Sequence, residues 1–115
     1  MEIVRRLKAE NLKREGYSVK HLLSFKFHKS IDSAVFYETT IPVNGSFTEQ
    51  WHKESYEMIY FVSSGIAIVD GVEHHFDIGD MIMMNPNEKH SFRAKGKDLV
   101  ILAVRFPDLP TDKYT

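Results

Sequence analysis

The chain has 115 residues, 43% of them hydrophobic and 27% charged, which is the composition of one globular domain with a core of its own. Fifteen Lys and Arg against sixteen Asp and Glu leave a net charge of -1, so neither nucleic acid nor a membrane is expected as a partner. The absence of cysteine excludes disulfide scaffolds, thiolate zinc sites and cysteine nucleophiles. Without a signal peptide or an apolar run long enough to span a membrane, the sequence predicts a cytoplasmic protein.

The N-terminal part of the chain fits more than one structure. Ile3 to Leu12 is compatible with a helix, a strand or an extended arm, and we assign residues 1–15 to an N-terminal arm or edge strand. From Tyr17 to Phe27 apolar and polar residues alternate almost without exception. This period of two predicts a half-buried strand with His21 on its buried face.

The middle of the chain predicts further strands separated by turns. Ser33 to Ile41 alternates more weakly, and Glu57 to Val62 is rich in aromatic and branched residues. Ile66 to Val69 and Val72 to Phe76 flank Asp70-Gly71, a dipeptide typical of a type I′ hairpin turn. A two-residue turn pairs the two flanking runs as a β-hairpin.

In this register, the two adjacent histidines of the hairpin point to opposite faces of the sheet. One of the two, His74 or His75, is expected to pack or form a hydrogen bond at a sheet surface, and the other is expected to face solvent. Three more short apolar runs follow and predict the last strands, namely Met81 to Met84, His90 to Ala94 and Leu99 to Phe106. So many short strands at regular spacing predict an all-β sandwich or barrel.

Two segments resemble the two motifs of the cupin superfamily. The first runs from Gly45 to Gly65 and contains His52, Glu54 and Glu57. The second begins at Gly79-Asp80, continues through Met81-Ile82-Met83-Met84 and Asn85-Pro86-Asn87, and ends with a histidine at position 90. The resemblance implies a single cupin domain over residues 1–115, folded as a double-stranded β-helix, or jelly roll, whose motif-bearing barrel covers residues 40–107.

The resemblance also implies a site for one divalent metal ion, with Zn, Mn, Fe or Ni as candidates. His52 and His90 match the first and last histidines of the family pattern, whereas Glu54 stands where a second histidine is expected. The glutamate of the pattern falls on Met58 when counted back from Gly65, and on Glu57 when counted from the following strand residues. The metal ligands implied are therefore His52, Glu54, Glu57 and His90.

Strand geometry bears on which carboxylate faces the cavity. In an unbroken strand, His52, Glu54 and Met58 share one face and Glu57 points from the other. Glu57 reaches the same side as His52 only if a one-residue bulge interrupts the strand between Lys53 and Glu57. Both arrangements stay open at this stage.

The expected pocket is lined by aromatic and methionine side chains near the motif histidines. Such a lining is typical of a small-molecule site with few polar groups. The residues assigned to it are Tyr56, Met58, Tyr60, Met83 and Phe92.

The resemblance leaves several functions open. One is a metal-dependent enzyme acting on a small organic acid or carbonyl compound. A second is a metal-free ligand-binding or sensor module, because the segment from Tyr56 to Gly71 is similar to the sugar-binding cupin domain of arabinose-type transcription regulators. A third is a metal-free sugar isomerase or epimerase that uses His90 or Tyr60 as acid or base. Cupins commonly pair, so a two-fold homodimer built partly from Val19 to Phe27 or from Ile3 to Leu12 is also expected.

Overall fold

Ten strands and one short 3₁₀ turn, Arg6–Lys8, make up the regular structure of the chain, which a computed structural model describes over residues 1–115. No helix has the length and apolar character needed to cross a membrane. The strands are β1 (Glu2–Val4), β2 (Glu10–Arg14), β3 (Tyr17–His21), β4 (Val35–Ile41), β5 (Tyr56–Phe61), β6 (Gly65–Val69), β7 (Val72–Phe76), β8 (Met81–Met84), β9 (His90–Ala94) and β10 (Leu99–Phe106).

The strands form a five-stranded sheet, a three-stranded sheet and a separate hairpin. The large sheet has the order β1-β8-β5-β10-β4, the small sheet has the order β7-β6-β9, and β2 pairs only with β3. All neighbouring strands are antiparallel. The prediction of an all-β jelly roll is confirmed.

The core lies between the inner faces of the two larger sheets. Alternate residues of the strands point inward, as Ile59, Phe61 and Ile101 do, and each of these is at most 1% exposed. Phe61 stacks on Phe76 of the small sheet with ring centroids 4.4 Å apart. The core cluster consists of Ile41, Ile59, Phe61, Ala67, Val69, Phe76, Ile82, Met84, Phe92, Leu99, Ile101 and Ala103.

The hairpin between β6 and β7 has the predicted register. Val69 pairs with Val72 across the turn, and Asp70 and Gly71 both have positive φ, at 48° and 81°. The two histidines of β7 point to opposite sides as expected. His75 is exposed and contacts a neighbouring glutamate, while the Nε2 atom of His74 is buried and has no hydrogen-bond partner.

The Gly79-Asp80 pair of the second motif holds the N-terminal arm against the barrel. Gly79 has a φ of +88°, a backbone conformation that favours glycine. The Asp80 carboxylate accepts hydrogen bonds from the backbone N–H groups of Arg6 and Asp77, both at 2.9 Å, and pairs with Arg5 at 3.3 Å. This half of the motif is therefore structural.

The strand predicted over Tyr17–Phe27 is too long, because β3 ends at His21. Beyond it the chain pairs with no strand, and Phe25 and Phe27 pack edge-on against Tyr56 of the large sheet. The alternating apolar residues of this part of the chain thus cover the large sheet without joining it. The expectation that His21 is buried is wrong, since its side chain is exposed and contacts the Ser24 hydroxyl at 2.8 Å.

Candidate metal centre

Three side chains that could ligate a metal converge between the sheets. The nitrogen and oxygen atoms that His52, Glu57 and His90 offer all lie within 4.8 Å of one another. The three residues are 3%, 3% and 1% exposed, respectively. The structure therefore brings the two motif histidines together with one carboxylate at a buried position.

His90 is held by regular sheet structure. It is the first residue of β9 and pairs with Val69 of β6 on one side. On the other side its N–H and C=O bond with the backbone of Gln50, both at 2.9 Å. Its Nδ1 lies 3.1 Å from the carbonyl oxygen of Glu88, which leaves Nε2 facing the centre.

His52 lies in an irregular stretch before β5, where the chain bends at Lys53 and Glu54. Its Nδ1 donates to the carbonyl oxygen of Asp112 at 2.6 Å. The carboxylate of Asp112 accepts hydrogen bonds from the backbone N–H groups of Lys53, Glu54 and Ser55 at 2.8–2.9 Å. Burial tends to raise the pKa of Asp112, but these three donors outweigh it and lower that pKa. One residue of the C-terminal segment thus fixes both the bend and the imidazole.

A second contact fastens the C-terminal segment beside the bend. Trp51 and Tyr114 exchange two backbone hydrogen bonds at 3.0 and 3.1 Å. Their rings are stacked, with centroids 6.1 Å apart. The segment after β10 therefore closes one side of the site.

Glu57 points inward from β5 and contacts three partners. Its Oε1 atom lies 3.0 Å from Nε2 of His90, and its Oε2 atom lies 3.6 Å from Nε2 of His52. Arg105 donates from Nε to Oε2 at 3.1 Å. Burial tends to raise the pKa of Glu57, but the two neighbouring imidazoles outweigh it and hold that pKa well below its usual range.

The two imidazoles present free Nε2 atoms to this carboxylate. Each Nδ1 is engaged by a backbone carbonyl, whereas Nε2 of His52 and Nε2 of His90 are buried and form no hydrogen bond of acceptable geometry. Buried polar atoms without a partner are uncommon and need an explanation. Ligands about 2.1 Å from one metal ion lie about 3.0–3.4 Å apart, which is close to the N···O separations found here. The donor set therefore fits a divalent transition metal.

A cavity of about 410 Å³ adjoins the three residues. Among the three, Glu57 is the one that lines it, with the imidazoles behind the carboxylate. The wall is half apolar and half polar in residue type. The lining residues are Tyr37, Thr39, Phe47, Gln50, Glu57, Ile59, Phe92, Ile101, Ala103, Arg105, Pro110 and Lys113.

Glu54 does not join the cluster, which corrects its expected place among the ligands. Its side chain is 67% exposed and pairs with Lys29 at 3.2 Å. Of the two arrangements left open by the sequence, the unbroken strand from His52 is wrong, and an interruption between Lys53 and Glu57 is observed. The strand begins only at Tyr56, and the preceding bend lets His52 and Glu57 point the same way.

Four of the five expected pocket residues lie on the opposite face of the large sheet, and this corrects the predicted lining. Because Glu57 and Ile59 point inward, the alternate β5 residues Tyr56, Met58 and Tyr60 point outward. Met83 pairs with Met58 and shares its face. Phe92, the fifth expected residue, does line the cavity.

Sequence reasoning missed four polar residues of the site. Arg105 follows Leu99, Ile101 and Ala103 on the inner face of β10, and a charged residue in that alternation was a usable signal. Gln50, Asp112 and Lys113 gave no such signal, because they belong to irregular segments.

Comparisons with known proteins agree with this fold. The cupin domain model matches residues 37–105, which is more than half of the chain. A search of curated proteins found no match.

Three solved structures illustrate the likeness. A cupin protein from Bacteroides fragilis has 19% identity and a TM-score of 0.60, over 74% of this chain and 75% of its own. The DMSP lyase DddQ from Ruegeria pomeroyi has 18% identity and a TM-score of 0.64, over 72% of this chain and 43% of its own. Streptomyces Pac13, solved with uridine, has 14% identity and a TM-score of 0.61, over 96% of this chain and 87% of its own. Together with the family match and the jelly-roll topology, these results show that the chain belongs to the cupin family.

Proposed function

We propose that the cavity holds a divalent transition metal on His52, Glu57 and His90, and that the loaded site acts on a small organic molecule. The observation that carries this proposal is the pair of buried Nε2 atoms that face the Glu57 carboxylate without a hydrogen bond. In metal-binding histidines, one ring nitrogen typically donates to a carbonyl or carboxylate while the other ligates. Both histidines have that arrangement.

Three protein ligands leave coordination positions open for a substrate or water. Two imidazoles and one carboxylate, without sulfur, suit Zn, Mn, Fe or Ni. A bound ion would supply Lewis acidity toward an oxygen atom of the substrate or of a water molecule. The chain itself holds the ligands in position, since Arg105 fixes Glu57 and the carbonyls of Asp112 and Glu88 fix the two imidazoles.

A small organic substrate fits the size of the cavity. Small-molecule sites commonly enclose about 300–1,000 Å³, with apolar walls and a few polar groups. The cavity of about 410 Å³ lies near the lower end of that range. Similar structures include a DMSP lyase and a protein solved with uridine, which supports small molecules as the ligand class.

Metal content and thermal stability test the proposal. Protein purified without chelators should carry a transition metal in near-stoichiometric amount by elemental analysis. After removal of the metal, a saturating excess of the same ion should raise the melting temperature by roughly 10 °C, because a ligand that binds only the folded state stabilises it. His90→Ala and Glu57→Gln should abolish both results.

His74→Ala is the matched control, because His74 also has a buried Nε2 without a partner but lies outside the cluster. This variant should bind metal as the wild type does. Protein that carries no metal and gains no stability from any of the four candidate ions would contradict the proposal.

A metal-free ligand-binding module, or a metal-free sugar isomerase or epimerase, is the second candidate. One observation favours it, because Arg105 already balances the charge of Glu57 in the absence of an ion. The cavity would then bind its ligand directly. The metal-content experiment separates the two candidates.

A homodimer is a further part of the proposal. The β2–β3 hairpin pairs with no other strand, and Tyr17 and Val19 are 64% and 40% exposed on it. An isolated two-stranded hairpin is marginally stable in water, so a second copy packed against it would stabilise it. We therefore expect a dimer mass in sedimentation at micromolar concentration. The cytoplasmic location stays a prediction from the sequence.

A further inference from the structure

Arg105 has more hydrogen-bonding capacity than the protein uses. Its side chain is 13% exposed and donates from Nε to Glu57, while neither terminal nitrogen forms a hydrogen bond with the protein. The guanidinium lines the cavity with its central carbon 5.3 Å from the Tyr37 ring centroid. Two parallel donors of a guanidinium match the two oxygens of a carboxylate.

Two more donors without partners lie on the same cavity wall. Gln50 is 7% exposed, and its side-chain amide makes no hydrogen bond within the protein, although its backbone pairs with His90. Lys113 lines the cavity from the C-terminal segment and pairs with no carboxylate. The Gln50 amide and the two cationic groups face one cavity without partners in the protein, so the donors are free to bind an acceptor in a ligand.

The charges of the residues that line the cavity also favour a ligand that accepts hydrogen bonds. Its lining includes two cationic side chains, Arg105 and Lys113, and one acidic side chain, Glu57. One positive charge is therefore in excess before any metal ion is added, and a divalent ion would enlarge that excess. An anionic ligand balances it.

We propose that the ligand is a small organic acid whose carboxylate is bound by the terminal nitrogens of Arg105, with Lys113 and Gln50 as additional donors. This inference deepens the proposed function of the cavity and rests on it. Arg105 thereby links the two ends of the site, since its Nε orients Glu57 and its terminal nitrogens orient the substrate. It is a binding and positioning residue.

A phosphate is a poorer fit to this cavity than a carboxylate. Protein phosphate sites commonly use backbone N–H groups at a helix N-terminus or in a glycine-rich loop. Here most of the wall consists of side chains from β4, β5 and β10, whose backbone groups pair within the sheet. The side-chain donors of Arg105, Lys113 and Gln50 are enough to bind the two oxygens of a single carboxylate.

Fluorine NMR titrations with para-fluorobenzoate, its neutral amide and para-fluorophenyl phosphate test the proposal. The wild type should bind the benzoate about 10-fold or more tighter than the amide, because charge-assisted hydrogen bonds contribute about 1.5–3 kcal/mol. Lys113→Gln should reduce this preference, and Arg105→Gln should abolish it. Arg105→Lys should keep only part of it, since lysine lacks the paired donors.

Lys97→Gln is the matched control, because Lys97 is exposed, lies outside the cavity and pairs with no carboxylate. It should leave the preference unchanged. The titrations are run on both metal-free and metal-loaded protein, so that loss of the metal site and loss of the carboxylate site are read separately. A preference in metal-free protein supports the carboxylate site even if no metal binds.

Three results would overturn the inference. They are the absence of any preference for the benzoate over the amide, a stronger preference for the phosphate, and a wild-type preference that neither Lys113→Gln nor Arg105→Lys changes. Lys113→Gln keeps the test decisive if Arg105→Gln fails to fold, since Lys113 is exposed in the C-terminal segment and Arg105 pairs with the buried Glu57.

Discussion

The two histidines of the candidate centre are held in different ways. His90 is part of a β-strand, with backbone partners on both sides. His52 lies in a bend that takes its shape from Asp112, sixty positions later in the chain. One half of the site therefore depends on the barrel, and the other half depends on a short C-terminal segment packed against it.

Because of this difference, the support of His90 contributes to the stability of the fold, whereas the support of His52 contributes mainly to the site. Strand β9 belongs to the small sheet, so disturbing the support of His90 disturbs the fold. The C-terminal segment contributes no strand to either large sheet, so its loss removes the support of His52 and leaves the barrel. Local elements of this kind open more readily than core strands do.

Among changes that keep all three metal ligands, the largest effect should come from deleting residues 111–115. This removes Asp112 and Tyr114, and with them the acceptor of His52 Nδ1 and the cap of the bend. Loss of such an outer contact typically costs about 10–100-fold in metal affinity. We expect a fall at the upper end of that range, measured by competition with a chelating dye.

The internal control for this deletion is the second histidine. Nitrogen-15 spectra of the imidazoles should show that His90 keeps its Nδ1–H tautomer while His52 loses its fixed tautomer. If both histidines changed together, the two halves of the site would not be independent as the structure indicates.

The part of the site that belongs to the barrel was easier to predict from the sequence than the part that depends on the C-terminal segment. The turn at Asp70-Gly71 and the strand ending in Phe106 follow local rules of periodicity and turn chemistry, and both lie where predicted. Asp112 obeys no local rule, because its role comes from folding back onto a bend far away in the chain. Contacts of that kind leave no periodic trace in a single sequence.

The choice between the carboxylates shows the same limit. The alternation of side chains along a strand correctly placed Glu57 on the opposite face from Tyr56 and Met58. The predicted strand, however, extended too far toward His52. The bend at Lys53 and Glu54 is stabilised by a distant carboxylate and not by the residues that form it. A rule based on neighbouring residues has no access to that partner.

A smaller effect is expected for Asp112→Asn, which keeps the shape of the side chain but removes its charge. At neutral pH the variant should be about 1 kcal/mol less stable in urea unfolding, because hydrogen bonds to a charged acceptor are the stronger ones. The pKa of Asp112 is lowered in the folded state, so its stabilisation is complete above the ordinary value near 3.9 and is lost as the pH falls below it. The difference between wild type and variant should therefore shrink in acid.

Asp108→Asn is the matched control, since Asp108 lies in the same segment, is exposed, and donates only through its backbone N–H. It should change stability by less than about 0.5 kcal/mol at any pH. A loss for Asp112→Asn that stayed constant down to pH about 2.5 would show that its charge is not what stabilises the bend.

The smallest effect is expected for Glu54→Gln, which tests the bend from its outer side. Glu54 pairs with Lys29 at the surface, and such exposed pairs typically contribute less than about 1 kcal/mol. The backbone N–H of Glu54, not its carboxylate, takes part in the support of His52, and glutamine keeps that N–H. Metal affinity should therefore stay within about twofold of the wild type, whereas Glu57→Gln should abolish binding. A loss of affinity in Glu54→Gln comparable to that in Glu57→Gln would mean that the bend turns inward in solution and that both carboxylates reach the centre.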